Sequence, residues 1–175
     1  MASGLSGENL DIQAIFTQYE DLAAAARLYF SPSNPDYEVR FFSTSADNVE
    51  KQCLNSLNEI SRNYSLSVLA AVEAAFRVDY IIRVKLRKKD DVSRAFRELH
   101  RRKPLRVSLE EDIFKTWKQH TTVPSKIIGD MVGAFGFRHW LAHGRYWPHK
   151  LGQTYDFFSI YALALQLLTA LPLEA

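Results

Sequence analysis

Residues 157–173, FFSIYALALQLLTALPL, form a run of seventeen residues without a charged side chain. A helix that is apolar on almost every side has to be buried among neighbours or cross a membrane. Spanning takes about 20 residues and basic anchors at the flanks. This run is shorter, has no such anchors, contains Ser159, Gln166 and Thr169, and meets Pro172 near its end. It is therefore expected as a helix packed between others and partly at a dimer interface, with no membrane span.

The rest of the chain supplies amphipathic partners for that helix. In residues 10–30, Leu10, Ile12, Ile15, Phe16, Tyr19, Leu22, Ala26 and Tyr29 recur close to a 3.6-residue period, and Pro32 and Pro35 end the pattern. The polar connection SPSNPDYEVRFF follows, with Tyr37–Phe42 readable as a short extended piece. Ser45 or Asp47 can cap a helix over about 47–62 with Leu54, Leu57 and Ile60 inward. Ser65 or Ser67 opens the next, over 65–88, with a stripe of Val68, Leu69, Val72, Phe76, Ile81 or Tyr80, and Val84. A shorter helix starts at Asp90–Asp91 and runs through Arg101. Ser108 with Glu111 makes a capping box for 109–119, and Pro124 leads into a helix carrying Ile127, Ile128, Met131, Val132, Phe135 and Phe137. The expected fold class is all-α, with neither repeats nor low-complexity tracts.

A length of 175 residues and a hydrophobic fraction of 47% suit one compact unit with a sizeable core. The lone Cys53 excludes an intramolecular disulfide and a cysteine-based zinc cluster. The first residues, MASGLSGENL, lack the basic start and apolar run of a signal peptide, so the cytoplasm is the expected location. A net charge of +2 hides an asymmetry: residues 77–106 hold 12 basic side chains against 4 acidic ones. Such a run is ordinarily a solvated helix face, yet a field this concentrated also attracts a polyanion such as RNA.

Chemistry-bearing residues concentrate in 135–150, FGFRHWLAHGRYWPHK, which holds three of the five histidines, two arginines and two tryptophans. His139 and His143 have the spacing of a two-histidine metal pair. A third ligand is offered only by His149, across a Gly and a Pro, and no Glu adjoins His139, so no metal site is expected. Arg138 and His143 would point about 140° apart on a regular helix and converge only if it ends or distorts near Leu141–Gly144. A guanidinium and an imidazole aimed at one spot suit a phosphodiester. Spacing alone favours a plainer arrangement, an interface histidine beside an arginine at a helix end.

The segment Arg138-His139-Trp140-Leu141-Ala142-His143 resembles the Arg-x(4–6)-His signature of the HEPN superfamily (higher eukaryotes and prokaryotes nucleotide-binding), with His139 in its polar second position. That superfamily's second element, Glu-x3-Lys/Arg on an earlier helix, is matched by Glu73-Ala-Ala-Phe-Arg77, followed by Asp79. The resemblance covers roughly 65–172. It implies an up-and-down helical bundle of HEPN type, dimeric, with residues 65–175 as the bundle and 1–64 as an N-terminal helical extension or cap.

By that resemblance the chain is expected to be a metal-independent, cofactor-free endoribonuclease acting in a toxin–antitoxin or phage-defence setting, with an antitoxin or regulatory protein as a further partner. The alternative is a non-catalytic HEPN module that regulates a nucleotidyltransferase or nuclease. Cleavage would proceed by attack of the RNA 2′-hydroxyl on its own phosphate, leaving a 2′,3′-cyclic phosphate. His143 would be the base or acid, Arg138 the electrostatic partner, and Glu73 would orient Arg138 or His139. One chain lacks a clear second proton carrier unless His139 serves, and a two-fold homodimer would supply the missing groups. Expected RNA contacts are Arg77, Arg83, Lys85, Arg87, Lys88, Lys89, Arg145 and Tyr146. On the sequence alone Glu73–Arg77 also reads as a plain i,i+4 salt pair.

Overall fold

A computed structural model describes residues 10–104, 106–148 and 152–174. Seven α-helices and no strand occur among them: α1 (Ile12–Tyr29), α2 (Tyr37–Phe41), α3 (Ala46–Leu86), α4 (Asp91–Arg102), α5 (Lys115–His120), α6 (Ser125–Ala142) and α7 (Phe157–Ala170). A π-helical turn, Leu109–Phe114, runs directly into α5. The expected all-α bundle is what the chain forms.

Its axis is α3, a single helix of 41 residues and so about 60 Å long. The expected break between 62 and 65, and with it a boundary at 64/65, is corrected here. No Gly or Pro interrupts 46–86. Ser65 and Ser67 are not caps: their hydroxyls donate back to the carbonyls of Ser61 (2.8 Å) and Asn63 (3.3 Å), inside the helix. The N-terminal segment is likewise no appendage. Ile15, Tyr19 and Ala23 of α1 belong to the same core as Val68, Leu69 and Val72 of α3, and Tyr19 stacks on Phe157 of α7 at 3.7 Å.

Local chemistry accounts for the other departures. Tyr37–Phe42 is helical rather than extended over Tyr37–Phe41, because the turn at Asn34–Asp36 starts a helical ladder (Tyr37 N to Asn34 O 2.9 Å, Arg40 N to Asp36 O 3.0 Å) and Phe41 stacks on Phe30. The Ser108 side chain accepts from Glu111 N as a capping box requires, but Asp112, not Glu111, returns the bond to Ser108 N (2.9 Å). The wider π-helical turn moves the reciprocal partner one residue on.

Helix α7 buries Phe157, Ile160, Ala164 and Leu167 and leaves Phe158 and Leu165 exposed. No helix among the described residues is long and apolar enough to cross a membrane. Around α3 the core is aromatic. Phe76 meets Phe114 edge-on at 4.8 Å, Phe114 meets Phe135 of α6 at 5.8 Å, and Phe96 of α4 packs on Trp117 of α5.

Candidate functional site

The aromatic layer Phe76–Phe114–Phe135 fixes how α3, the π-helical turn and α6 face one another. One helical turn away lies a charged layer. Arg138, three residues beyond Phe135, reaches Glu73, three residues before Phe76, with Nη2 to Oε2 at 2.9 Å. The other oxygen of Glu73 accepts from Arg77 Nε at 2.8 Å, and Arg77 Nη1 donates to the carbonyl of Val107 at 3.4 Å. The two sequence motifs, 65 residues apart, therefore meet at one carboxylate. The Arg138 guanidinium also lies 5.8 Å from the Phe135 ring, and its Nε–H is buried with no hydrogen-bond partner among the described residues.

Helix α6 ends where the sequence placed its break. His143 caps it (φ −97°, ψ 21°), and Gly144 takes the left-handed conformation at φ 79°. Arg145 N donates to Trp140 O (3.1 Å) and Gly144 N to Leu141 O (3.4 Å), the pair of bonds that closes a helix C-terminus of this kind. A Cβ at position 144 would adopt a conformation costing about 1–2 kcal/mol. Beyond the cap, Trp140 Nε1 donates to Trp147 O at 2.7 Å, and Arg145 pairs with Glu59 of α3 at 2.7 Å. The Arg145 hydrogen bond holds the Glu59 carboxyl below its usual range, helped by Arg62.

This ending does not aim His143 at Arg138. Its ring rests on His139, with centroids 4.2 Å apart, and His139 faces Trp147 at 6.0 Å. Two imidazoles thus share the C-terminal turn of α6, where the helix dipole favours positive charge. Tyr146 is 83% exposed beside Trp147. Among the described residues no group of three or more His, Cys, Asp or Glu is arranged to hold a metal ion, and His149 lies outside them.

The basic run divides. Arg83 is buried, its side chain 5% exposed, and its guanidinium bonds Asp79 (2.7 Å), Asp90 (3.2 Å), Ser93 (3.3 Å) and the Pro172 carbonyl (2.5 Å) over the Trp117 ring. The expectation that Arg83 contacts RNA is corrected: it is an internal clasp on the C-terminal segment. Burial pushes the Asp79 carboxyl up, against hydrogen bonds from the Glu174 amide and Arg83. Lys88 pairs with Glu174, whereas Lys85, Arg87 and Lys89 are exposed. Lys85 stands about 18 Å along α3 from Glu73.

One residue near this cluster went unnoticed in the sequence. Glu110, in the π-helical turn, is one turn before Phe114, as Glu73 is one turn before Phe76. Its carboxyl is raised by burial and by Glu111 and Glu73, and drawn back down by His139 and Arg138. The sequence signal is the three-carboxylate run Glu110-Glu111-Asp112, of which the capping box takes only Glu111.

A groove of about 750 Å³ between α1 and α3, lined by Leu22, Ala26, Tyr29, Glu59 and Ile60, contains none of Glu73, Arg138, His139 or His143. Comparison with protein-family models, curated proteins and solved structures found no match to this chain.

Proposed function

We propose that this chain is a metal-independent endoribonuclease of HEPN type, acting as a homodimer. It would cleave RNA by attack of the 2′-hydroxyl on the adjacent phosphate, in a toxin–antitoxin or phage-defence setting with an antitoxin or regulatory protein as partner. The observation that carries this reading is the Arg138–Glu73 ion pair, which joins the Arg-x4-His and Glu-x3-Arg elements. Glu73 orients a guanidinium whose side chain is 37% exposed, and one helical turn holds two imidazoles, tilted against each other, for proton transfer. Arg77 and the exposed Lys85, Arg87 and Lys89 offer a path for the RNA backbone, and Tyr146 a ring for a base.

A second reading, a non-catalytic HEPN module that regulates a nucleotidyltransferase or nuclease, is favoured by one feature. The His143 ring rests tilted against His139 while Arg138 is engaged by Glu73, so the pair is not aimed at a common point.

Cleavage of a mixed-sequence single-stranded RNA in excess EDTA separates the two. The expected result is full activity without divalent metal, and loss of at least about 100-fold in Arg138→Ala and in His143→Ala with thermal unfolding unchanged. A strict need for Mg²⁺ or Zn²⁺, or wild-type turnover in either variant, overturns the assignment. RNA binding without cleavage by the wild-type chain selects the second reading.

A further inference from the structure

We propose that His139 and His143 form a chelating pair for a late first-row transition-metal ion, Zn²⁺, Ni²⁺ or Cu²⁺, and that the bound ion switches the site off. The chelate stands on geometry alone. The inhibition rests on the ribonuclease reading, in which His143 moves a proton.

The two imidazoles are carried four residues apart at the end of α6, with ring centroids 4.2 Å apart and planes inclined by 52°. Nitrogens that share one tetrahedral ion at about 2.0–2.1 Å stand about 3.3–3.4 Å from each other. Rings this close reach that separation by side-chain rotation alone. The backbone beneath them is held by the bond from His143 N to His139 O (3.1 Å) and by the left-handed Gly144. Both side chains are exposed, and among the described residues no hydrogen bond engages a nitrogen of either ring. His100 is a contrast, with Nδ1 tied to the Tyr80 hydroxyl at 3.0 Å.

The surroundings favour an added cation. The pair sits at the negative end of the helix dipole. The neighbouring guanidinium groups are already paired, Arg138 with Glu73 at 2.9 Å and Arg145 with Glu59 at 2.7 Å. Imidazole suits Zn²⁺, Ni²⁺ and Cu²⁺, whereas Mg²⁺ and Ca²⁺ take oxygen ligands. A catalytic zinc has three protein ligands and a structural one four. Among the described residues no third His, Cys, Asp or Glu joins the pair, so water completes the coordination and the ion exchanges freely. Two ligands make a site for a regulatory ion and not for a resident one.

Inhibition follows from the lone pair. An imidazole nitrogen that holds a metal ion neither accepts nor donates a proton, and a protonated ring releases its proton to solvent when the ion binds. Nothing is oxidised or reduced. Metal and proton compete for the same nitrogens, so the ion is held more tightly as pH rises through the histidine range. A ribonuclease that needs no metal is then slowed by Zn²⁺ and restored by a chelator.

The test titrates Zn²⁺, Ni²⁺ and Mg²⁺ into the metal-stripped full chain by calorimetry and follows RNA cleavage over the same concentrations. Zn²⁺ and Ni²⁺ should bind and Mg²⁺ should not. His139→Gln and His143→Gln should each weaken Zn²⁺ binding at least about 10-fold, with metal-free thermal unfolding unchanged. His120→Gln, at the exposed histidine that ends α5, should bind Zn²⁺ as wild type does. Wild-type cleavage should fall as Zn²⁺ binds, more steeply at about pH 7.5 than at about pH 6, and recover in EDTA. Wild-type affinity in both pair variants, or its loss in His120→Gln, would put the ion elsewhere and overturn the chelate while leaving the ribonuclease intact. Full cleavage by the Zn²⁺-saturated chain would overturn the inhibition. If the metal-free chain cleaves no RNA, the ribonuclease reading falls and the inhibition with it, and calorimetry alone decides the chelate.

Discussion

Arg83 and Arg138 each reach an acidic residue of α3, and their surroundings give them different work. Arg83 has Asp79, Asp90, Ser93 and a carbonyl around it and almost no exposed surface, so its charge serves packing. Arg138 has 37% of its side chain exposed and, among the described residues, is held by one carboxylate only, so its charge is available to a ligand. Removing one partner of a buried, hydrogen-bonded pair leaves the other uncompensated, and Arg83→Ala should cost about 3–5 kcal/mol in denaturant unfolding. Neutralising Lys85, Arg87 and Lys89 together should leave stability nearly unchanged. It should also flatten the salt dependence of RNA binding by about 0.7 in slope per lost phosphate contact. An unchanged slope would show a merely solvated face.

At the scale of elements, the loop after α6 is pinned by Arg145 to Glu59. Because Glu59 titrates below its ordinary value when folded, the pairing contributes fully above the unfolded pKa and is lost as pH falls through the folded one. Amide protection over Gly144–Trp147, corrected for intrinsic exchange, should therefore drop several-fold on acidification through the carboxylate range. In Glu59→Gln it should be low and flat with pH. An identical pH response in that variant would assign the effect to another carboxyl.

The elements themselves were largely legible. The periodic stripe of α3 named Val68, Leu69, Val72 and Phe76, and Gly144 marked the end of α6, because apolar spacing and left-handed caps are local signals. The continuity of α3 was not legible, since a serine that caps a helix and one that bonds back inside it look the same in sequence. Nor was the pairing of Arg138 with Glu73 rather than with His143. That choice is made by the Phe76–Phe114–Phe135 layer, which exists only after three distant segments have packed.

For the whole molecule, the absence of a boundary at 64/65 means that the region resembling a HEPN bundle is not an independent unit. Cutting there halves α3 and strips Ile15, Tyr19 and Ala23 from the shared core. A fragment of residues 65–175 should show no cooperative thermal transition by circular dichroism. A sharp melt within about 5 °C of the full chain would restore the two-part description.

Helix α3 also acts as a measuring rod. Glu59 and Glu73 stand fourteen residues apart on it, close to four turns, and they hold Arg145 and Arg138 from the two sides of one helix end. Inserting or deleting a single residue between them turns one anchor by about 100° and slides it by about 1.5 Å relative to the other. Drift in composition between those two carboxylates is therefore cheap, whereas drift in length is not. Lineages that keep this site should show interchangeable side chains over that interval at an unvarying count.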